Sequence, residues 1–327
     1  MWIKPAALRR QGMLGMNRRN LEFIGHYNSR ASYPLVDDKL RTRRLAEQYG
    51  IASPRLISVL RTQHDARAFV RSPDSPARFV IKPGRGAGGK GIMVIQGRSD
   101  GDFLKASGEQ LSRTDLERDL SNILAGLYSL SGQPDVALVE DVIEPGPDFT
   151  AWSHEGVPDV RILLFQGYPV MAMVRLSTHR SDGKANLHKG AVGVGLDIAS
   201  GRCRHAVQFN HRVSHHPDTG HALNNLSVPD WHPLLMQAAW CYEATGLGYL
   251  GVDLVIDEHQ GPLLLELNAR PGLAIQIANG QGLLPRLRHI ETLSGPHLTP
   301  RDRVDHVIEQ FAASGLSNGG NTHPPHA

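Results

Sequence analysis

Cysteine is nearly absent. Cys203 and Cys241 are the two in 327 residues, and their separation suits neither a compact metal site nor a disulfide framework. No apolar run approaches the roughly 20 residues of a membrane-spanning helix. The opening Met1-Trp2-Ile3-Lys4-Pro5 has no apolar secretory core, so the expected location is cytoplasmic, with no membrane partner. Net charge is small, +3, and the basic residues are dispersed, which argues against a nucleic-acid partner. Trp2, Trp152, Trp231 and Trp240 are scattered, so no stacking platform for bases emerges. No internal repeat is visible. The 40% hydrophobic and 20% charged content is ordinary for a globular chain, and the length suits two packed subdomains.

Against that background one stretch stands out. Gly251-Val252-Asp253-Leu254-Val255-Ile256 and Leu264-Leu265-Glu266-Leu267-Asn268 read as two short apolar strands that carry hard oxygen donors. Glu266 and Asn268 are two residues apart, so on a strand they share a face. Asp253, at the same level of a neighbouring antiparallel strand, completes an oxygen cluster of the kind that shares Mg²⁺ with nucleotide phosphates. An unpaired carboxylate inside such an apolar strand would be costly, which favours a ligand role for Asp253 and Glu266. Upstream, Arg78-Phe79-Val80-Ile81-Lys82-Pro83 reads as a strand that runs through Gly84-Arg85-Gly86-Ala87-Gly88-Gly89-Lys90-Gly91 into the strand Ile92-Met93-Val94-Ile95. A glycine-rich hairpin exposes backbone N–H groups to phosphate oxygens, although such a loop is also found as a plain connector. It is not a Walker loop, since no Gly-Lys-Ser/Thr opens a helix. It is not a dinucleotide fingerprint either, since a strand follows.

The remaining pattern is mixed. Residues 1–35 are basic and irregular, enough for one or two short helices. A helix capped at Asp37-Asp38 continues through Leu40 and Leu45 to Gly50. A strand is predicted near Leu56–Leu60, a helix near Asp65–Val70, an amphipathic helix within 109–131 and a strand at Val136–Glu140. Asp159–Phe165 and Val170–Arg175 form a hairpin with arginines on polar faces, and Trp231–Thr245 a helix. His205, His211, His215, His216, His221 and His232 crowd one stretch, but match no compact zinc spacing. No strand or helix is predicted to fix them, and the segment reads as a loop over the active site or acceptor channel. Residues 314–327 read as a disordered tail. The expected organisation is a short N-terminal segment (1–35), a subdomain with the glycine-rich lid (36–137), a subdomain with the Mg²⁺ site (138–313) and the tail.

In this order the motifs resemble ATP-grasp enzymes, and most closely proteins related to RimK-type α-L-glutamate ligases, over roughly residues 33–275. The resemblance implies an α+β fold in which two α+β subdomains clasp ATP. It also implies ATP and Mg²⁺ as cofactors, with Mn²⁺ able to substitute. The implied reaction activates a carboxylate as an acyl phosphate, which an amine then attacks to give an amide. Lys39 and Lys82 match the lysines that contact nucleotide phosphates, with Gly86, Gly88 and Gly89 as the lid. Glu140-Asp141-Val142-Ile143 matches the segment that meets the adenine edge. In Asp159-Val160-Arg161 the acid faces the ribose and the arginine faces phosphate or substrate. Lys184-Ala185-Asn186-Leu187-His188-Lys189-Gly190 resembles an Arg-Ser-Asn-x-His-x-Gly segment, with Lys184-Ala185 departing from Arg-Ser. Asp253, Glu266 and Asn268 match the metal ligands. Arg161, Arg175 and Arg270 are the candidate catalytic cations. The usual N-terminal substrate domain is reduced here to about 35 residues, so a partner protein or second subunit is expected to complete the acceptor site. The substrates implied are amino-acid or peptide carboxylates and amines, with glutamate as the added residue. The competing functions are a small-molecule phosphotransferase and a non-catalytic nucleotide-binding regulator.

Overall fold

The computed structural model describes residues 5–312, apart from 87, 100, 130–131 and 294–297. The expected tail at 314–327 therefore lies outside the described residues, as does Ala87 of the glycine-rich turn.

Two antiparallel sheets organise the chain. The first contains β1 (Leu56–Leu60), β2 (Phe79–Pro83), β3 (Met93–Ser99), β4 (Asp102–Lys105), β5 (Gln110–Leu111) and β6 (Ala137–Glu140). They lie in the order β1-β6-β2-β3-β4-β5. The helices Gln63–Arg71 and Arg113–Leu124 open with capping boxes at Thr62/Asp65 and Ser112/Asp115, each satisfying end N–H groups that a helix cannot pair internally. Their apolar faces (Ala66, Val70, Leu116, Leu120, Ile123) close a core with Phe79, Ile81, Ile95 and Phe103.

The second sheet is larger. It contains β7 (Asp159–Phe165), β8 (Tyr168–Leu176), β9 (Val192–Leu196), β10 (Cys203–Gln208), β11 (His211–Arg212), β12 (Tyr249–Asp257) and β13 (Gly261–Asn268), in the order β11-β10-β9-β8-β7-β12-β13. Every residue of β12 is buried. That accounts for its near-continuous apolar sequence, since a strand covered on both faces has no reason to alternate. The β7–β8 link is a two-residue turn, with φ of 52° at Gln166 and 80° at Gly167; this is the left-handed pair that matches hairpin twist.

The N-terminal residues are part of this second core. Leu14, Phe23 and Ile24 lie in it, and Phe23 meets Phe165 edge-on at 5.6 Å between centroids. Asn28 ties the segment down. Its amide donates to the carbonyls of Tyr249 (2.8 Å) and Ala269 (3.1 Å) and accepts from the Tyr249 N–H (2.7 Å). The helix Lys39–Gln48 also belongs here, because Val36, Ala46 and Ile51 join the same core. The chain therefore enters the first sheet only at β1. It leaves after Glu140, so the expected boundary at 137/138 would cut through β6.

The histidine-rich segment is a further correction. His205 lies on β10 and His211 on β11, and His216 is buried with Nε2 3.0 Å from the Ser177 carbonyl. Two strands thus fix part of what reads as loop. β9 was hidden because Gly193 and Gly195 dilute its strand pattern. Gly195 is needed: a Cβ there would sit 2.4 Å from the Asn279 Cα.

Asn28→Ala is expected to lower unfolding free energy by about 2–4 kcal/mol in urea titrations, since it strands buried backbone groups. A loss under about 0.5 kcal/mol would contradict this account of how the N-terminal residues are held.

Candidate functional site: a charged cleft between two sheets

Asp253, the most deeply placed carboxylate of the site, sits on β12 opposite Arg161 of β7 and Glu266 of β13. Asp159 pairs with Arg175 across β7 and β8. Directly paired residues share a face, so one side of the sheet carries Arg175, Asp159, Arg161, Asp253 and Glu266 in sequence. Arg161 clasps Asp253 from two nitrogens, Nε to Oδ1 at 2.6 Å and Nη2 to Oδ2 at 2.5 Å. Arg175 Nη2 donates to the same Oδ2 at 2.9 Å and also to Asp159. Burial alone would raise the Asp253 carboxyl, but the two guanidinium charges outweigh it and hold the group at about 2. Asp159 goes the other way. Burial pushes it up to about 6, against the pull of Arg175 and helped by the negative charge of Asp253. Its Oδ1 is buried without a hydrogen-bond partner among the described residues.

Glu266 is the accessible member. Its side chain is 38% exposed and its nearest cation is Lys39 Nζ, 3.6 Å away. Asn268, one step along the same face, points its Oδ1 to the Arg270 N–H at 2.8 Å. These donors fit Mg²⁺: two carboxylates and an amide oxygen, all hard ligands. Asp253 Oδ1 accepts one N–H and so retains a lone pair, while Glu266 is held by no short hydrogen bond. Among the described residues no group of three or more His, Cys, Asp or Glu side chains is placed to hold a metal.

Across the cleft stands the first sheet. Asp38 caps the helix Lys39–Gln48 by accepting from the N–H groups of Leu40 and Arg41. Lys39 then reaches the glycine-rich hairpin twice, through its N–H to the Gly84 carbonyl (2.9 Å) and its Nζ to the Gly86 carbonyl (2.6 Å). Lys82 is the next-to-last residue of β2, nearly buried, with Nζ 2.6 Å from Glu140 Oε2. Arg43 Nη1 approaches the other oxygen of Glu140 at 3.5 Å. Lys39, Lys82, Arg43, Glu140 and Glu266 line one cavity of about 20 Å³. That volume holds about one water.

The other expected residues lie around this centre. Gly88 and Gly89 have φ of 65° and 73°, and nothing lies within 4 Å of where a Cβ would be, so their backbone faces open space. Asp141 is drawn outward by Arg55, at 2.7 and 2.9 Å, and its N–H is taken by the Arg55 carbonyl. Val142 and Ile143 follow, half-buried. Arg270 lies over the Tyr33 ring, 4.7 Å from its centroid. Lys184 pairs with Asp182, and Asn186 caps its own turn by accepting from the His188 N–H at 3.0 Å; among the described residues no hydrogen bond or ion pair joins either to the carboxylate face.

Two contributors escape sequence reading. Arg43 is one more arginine on a basic helix face until its contact with Glu140 is seen. Buried Asp135 pins the base of the hairpin by accepting from the N–H groups of Arg85 and Val136, both at 2.8 Å. Its only signal is its place just before β6.

Asp253→Ala is expected to cost about 3–5 kcal/mol of unfolding free energy, because it leaves the largely buried Arg161 guanidinium uncompensated and Arg175 with Asp159 alone. Glu266→Ala, exposed and loosely paired, is expected to cost under about 1 kcal/mol. Equal losses in urea titrations would contradict this division of labour.

A family model described as sugar-transfer associated ATP-grasp matches residues 18–292. A probable alpha-L-glutamate ligase of Xylella fastidiosa (strain M12) is 25% identical, over 83% of this chain and 69% of the relative. Another probable alpha-L-glutamate ligase, from Xanthomonas axonopodis pv. citri (strain 306), is 26% identical over 78% of this chain and 64% of the relative. The chain thus spans about two thirds of the length of these relatives. Among solved structures, D-cycloserine synthetase DcsG is similar at 14% identity and a TM-score of 0.43, over 85% of this chain and 71% of that one. D-alanine–D-alanine ligase from Bacillus anthracis is similar at 14% identity and 0.39, over 86% and 69%. Within the described residues no helix is long and apolar enough to cross a membrane. The match over residues 18–292, on a chain of two antiparallel sheets with a charged cleft between them, makes this protein a member of the sugar-transfer associated ATP-grasp family.

Proposed function

We propose that the chain is an ATP- and Mg²⁺-dependent carboxylate–amine ligase that forms an amide through an acyl phosphate and releases ADP. The observation that supports this best is the meeting of Lys39, Lys82 and the Glu266 carboxylate in one cleft, with Asp253 on the adjacent strand. Family membership supports ATP as the nucleotide. The names of the relatives support glutamate as the amino acid joined, and an amino acid or peptide as acceptor.

The residues divide the work by charge. Lys39 and Lys82 draw in the phosphates, and the open backbone at Gly88 and Gly89, anchored through the buried Gly86, closes over them. The 140–143 segment receives the adenine edge, and Asp159 the ribose side. Asp253, Glu266 and Asn268 would hold Mg²⁺, whose charge offsets that spreading over the γ-phosphoryl oxygens. Arg161 and Arg175 serve as positioning residues that keep Asp253 ionised and aimed. Arg270, free to leave the Tyr33 ring, meets the transferring phosphoryl group or the oxyanion. A carboxylate oxygen bonds to the γ-phosphorus, the bond to the β–γ bridging oxygen breaks, and ADP leaves with that electron pair. The amine nitrogen then bonds to the acyl carbon, inorganic phosphate leaves and the amine proton passes to solvent.

Incubation with Mg-ATP, the common amino acids and small peptide pools is expected to release ADP. It should also yield a product heavier by one amino-acid residue, with Glu266→Ala inactive. A stable phosphorylated product would replace the ligase with a phosphotransferase, and ATP binding without turnover would support a regulator. Lys82→Ala is expected to weaken ATP binding by roughly tenfold, about 1.4 kcal/mol; an unchanged dissociation constant would contradict the phosphate role.

A further inference from the structure

A second cavity, of about 1260 Å³, lies beyond the end of β13. Its walls come from residues 8–22, from the 187–188 turn, from 207–210 and from 272–277. The last of these continues directly from Asn268 through Arg270-Pro271-Gly272. Arg19 Nη1 donates to the Pro271 carbonyl at 2.9 Å, which ties the N-terminal wall to the strand carrying the expected metal ligands. Pockets for small ligands usually occupy roughly 300–1,000 Å³, so a single amino acid would leave this one mostly filled with water.

Its lining is apolar with a cationic margin. Met13, Leu14, Met16, Phe209, Leu273 and Ile277 face it. Met16 and Phe209 remain 65% and 47% exposed, apolar surface that a ligand would remove from water at about 25 cal/mol per Å². Glu22, the one acid on the lining, is already held by Arg18 and Arg288. Arg9 and Arg19 therefore leave an excess of positive charge at an apolar cavity. A neutral apolar guest would leave that charge unused, and a short hydrophilic acid would leave the apolar walls wet.

We propose that this cavity holds the body of the activated substrate, an amphipathic carboxylic acid with an apolar chain, whose carboxylate is drawn by the cationic margin of Arg9 and Arg19. This inference rests on the ligase reading for its chemistry, but not for its binding. The N-terminal residues then supply the acceptor wall that the sequence alone assigns to a partner.

Calorimetry with decanoate below its micelle concentration tests this on wild type, Met16→Glu and Arg9→Glu. Acetate and 1-decanol serve as comparison ligands, and Mg-ADP affinity checks that the cleft is intact. Both substituted residues are exposed. Decanoate is expected to bind saturably, at least roughly tenfold tighter than either comparison ligand, and each variant to weaken it several-fold with Mg-ADP affinity unchanged. Equal affinity for acetate, or wild-type decanoate affinity in both variants, would overturn the proposal. Decanoate binding of the expected kind with no ADP release for any amine would uphold the cavity and sink the ligase reading. ADP release with short amino acids and no decanoate binding would do the reverse.

Discussion

The clasp of Asp253 by Arg161 and Arg175 is the constraint on which the site depends. A carboxylate in the middle of a strand buried on both faces is tolerable only when opposite charge and N–H donors replace the lost water. The donors come from β7, which pairs with β12, and from β8 one strand further, and they reach Asp253 only in the observed register. A slip of one residue would turn one set of charges to the other face and leave both sets unpaired. The same pairs that fix the sheet also keep Asp253 ionised, as the proposed metal role requires. Glu266 then needs no such support, because it lies at the edge of the cleft where water still reaches it.

The opposite wall uses ion pairs differently. Lys82 and Glu140 are nearly buried and bonded to each other, with Arg43 sharing the carboxylate. Such a pair offsets its own desolvation and holds both groups in place. An arriving polyphosphate offers Lys82 a more highly charged partner, while Arg43 remains to satisfy Glu140. Lys39 works in the same way, bridging the hairpin carbonyl of Gly86 and the carboxylate of Glu266 across a cleft with room for about one water. The proposed nucleotide binding would exchange these internal ion pairs for phosphate contacts.

How much of this was legible in the sequence follows from how local each signal is. β1, β7 and the helix Trp231–Thr245 were readable from periodicity, and the Asp38 cap from the side chain itself. The pairing of Asp253 with Glu266 followed from strand alternation. β9 to β11 were not readable, because glycine and histidine blur the pattern and because the need for Gly195 lies in the approach of Asn279. Nor was the placing of residues 5–28 against the second core, which rests on Asn28 contacts more than 200 residues away in sequence. The arginines looked like catalytic cations from composition. Only the fold reveals that Arg161 and Arg175 are spent on carboxylates while Arg270 lies free over Tyr33.

Hydrogen–deuterium exchange with and without a non-hydrolysable Mg-ATP analogue tests the central claim, that the cleft between the sheets is the nucleotide site. Protection is expected to concentrate in three places: Lys82 to Gly91, the 140–143 segment and β13 through Asn268. Protection confined to other segments, or none at saturating analogue, would contradict the account.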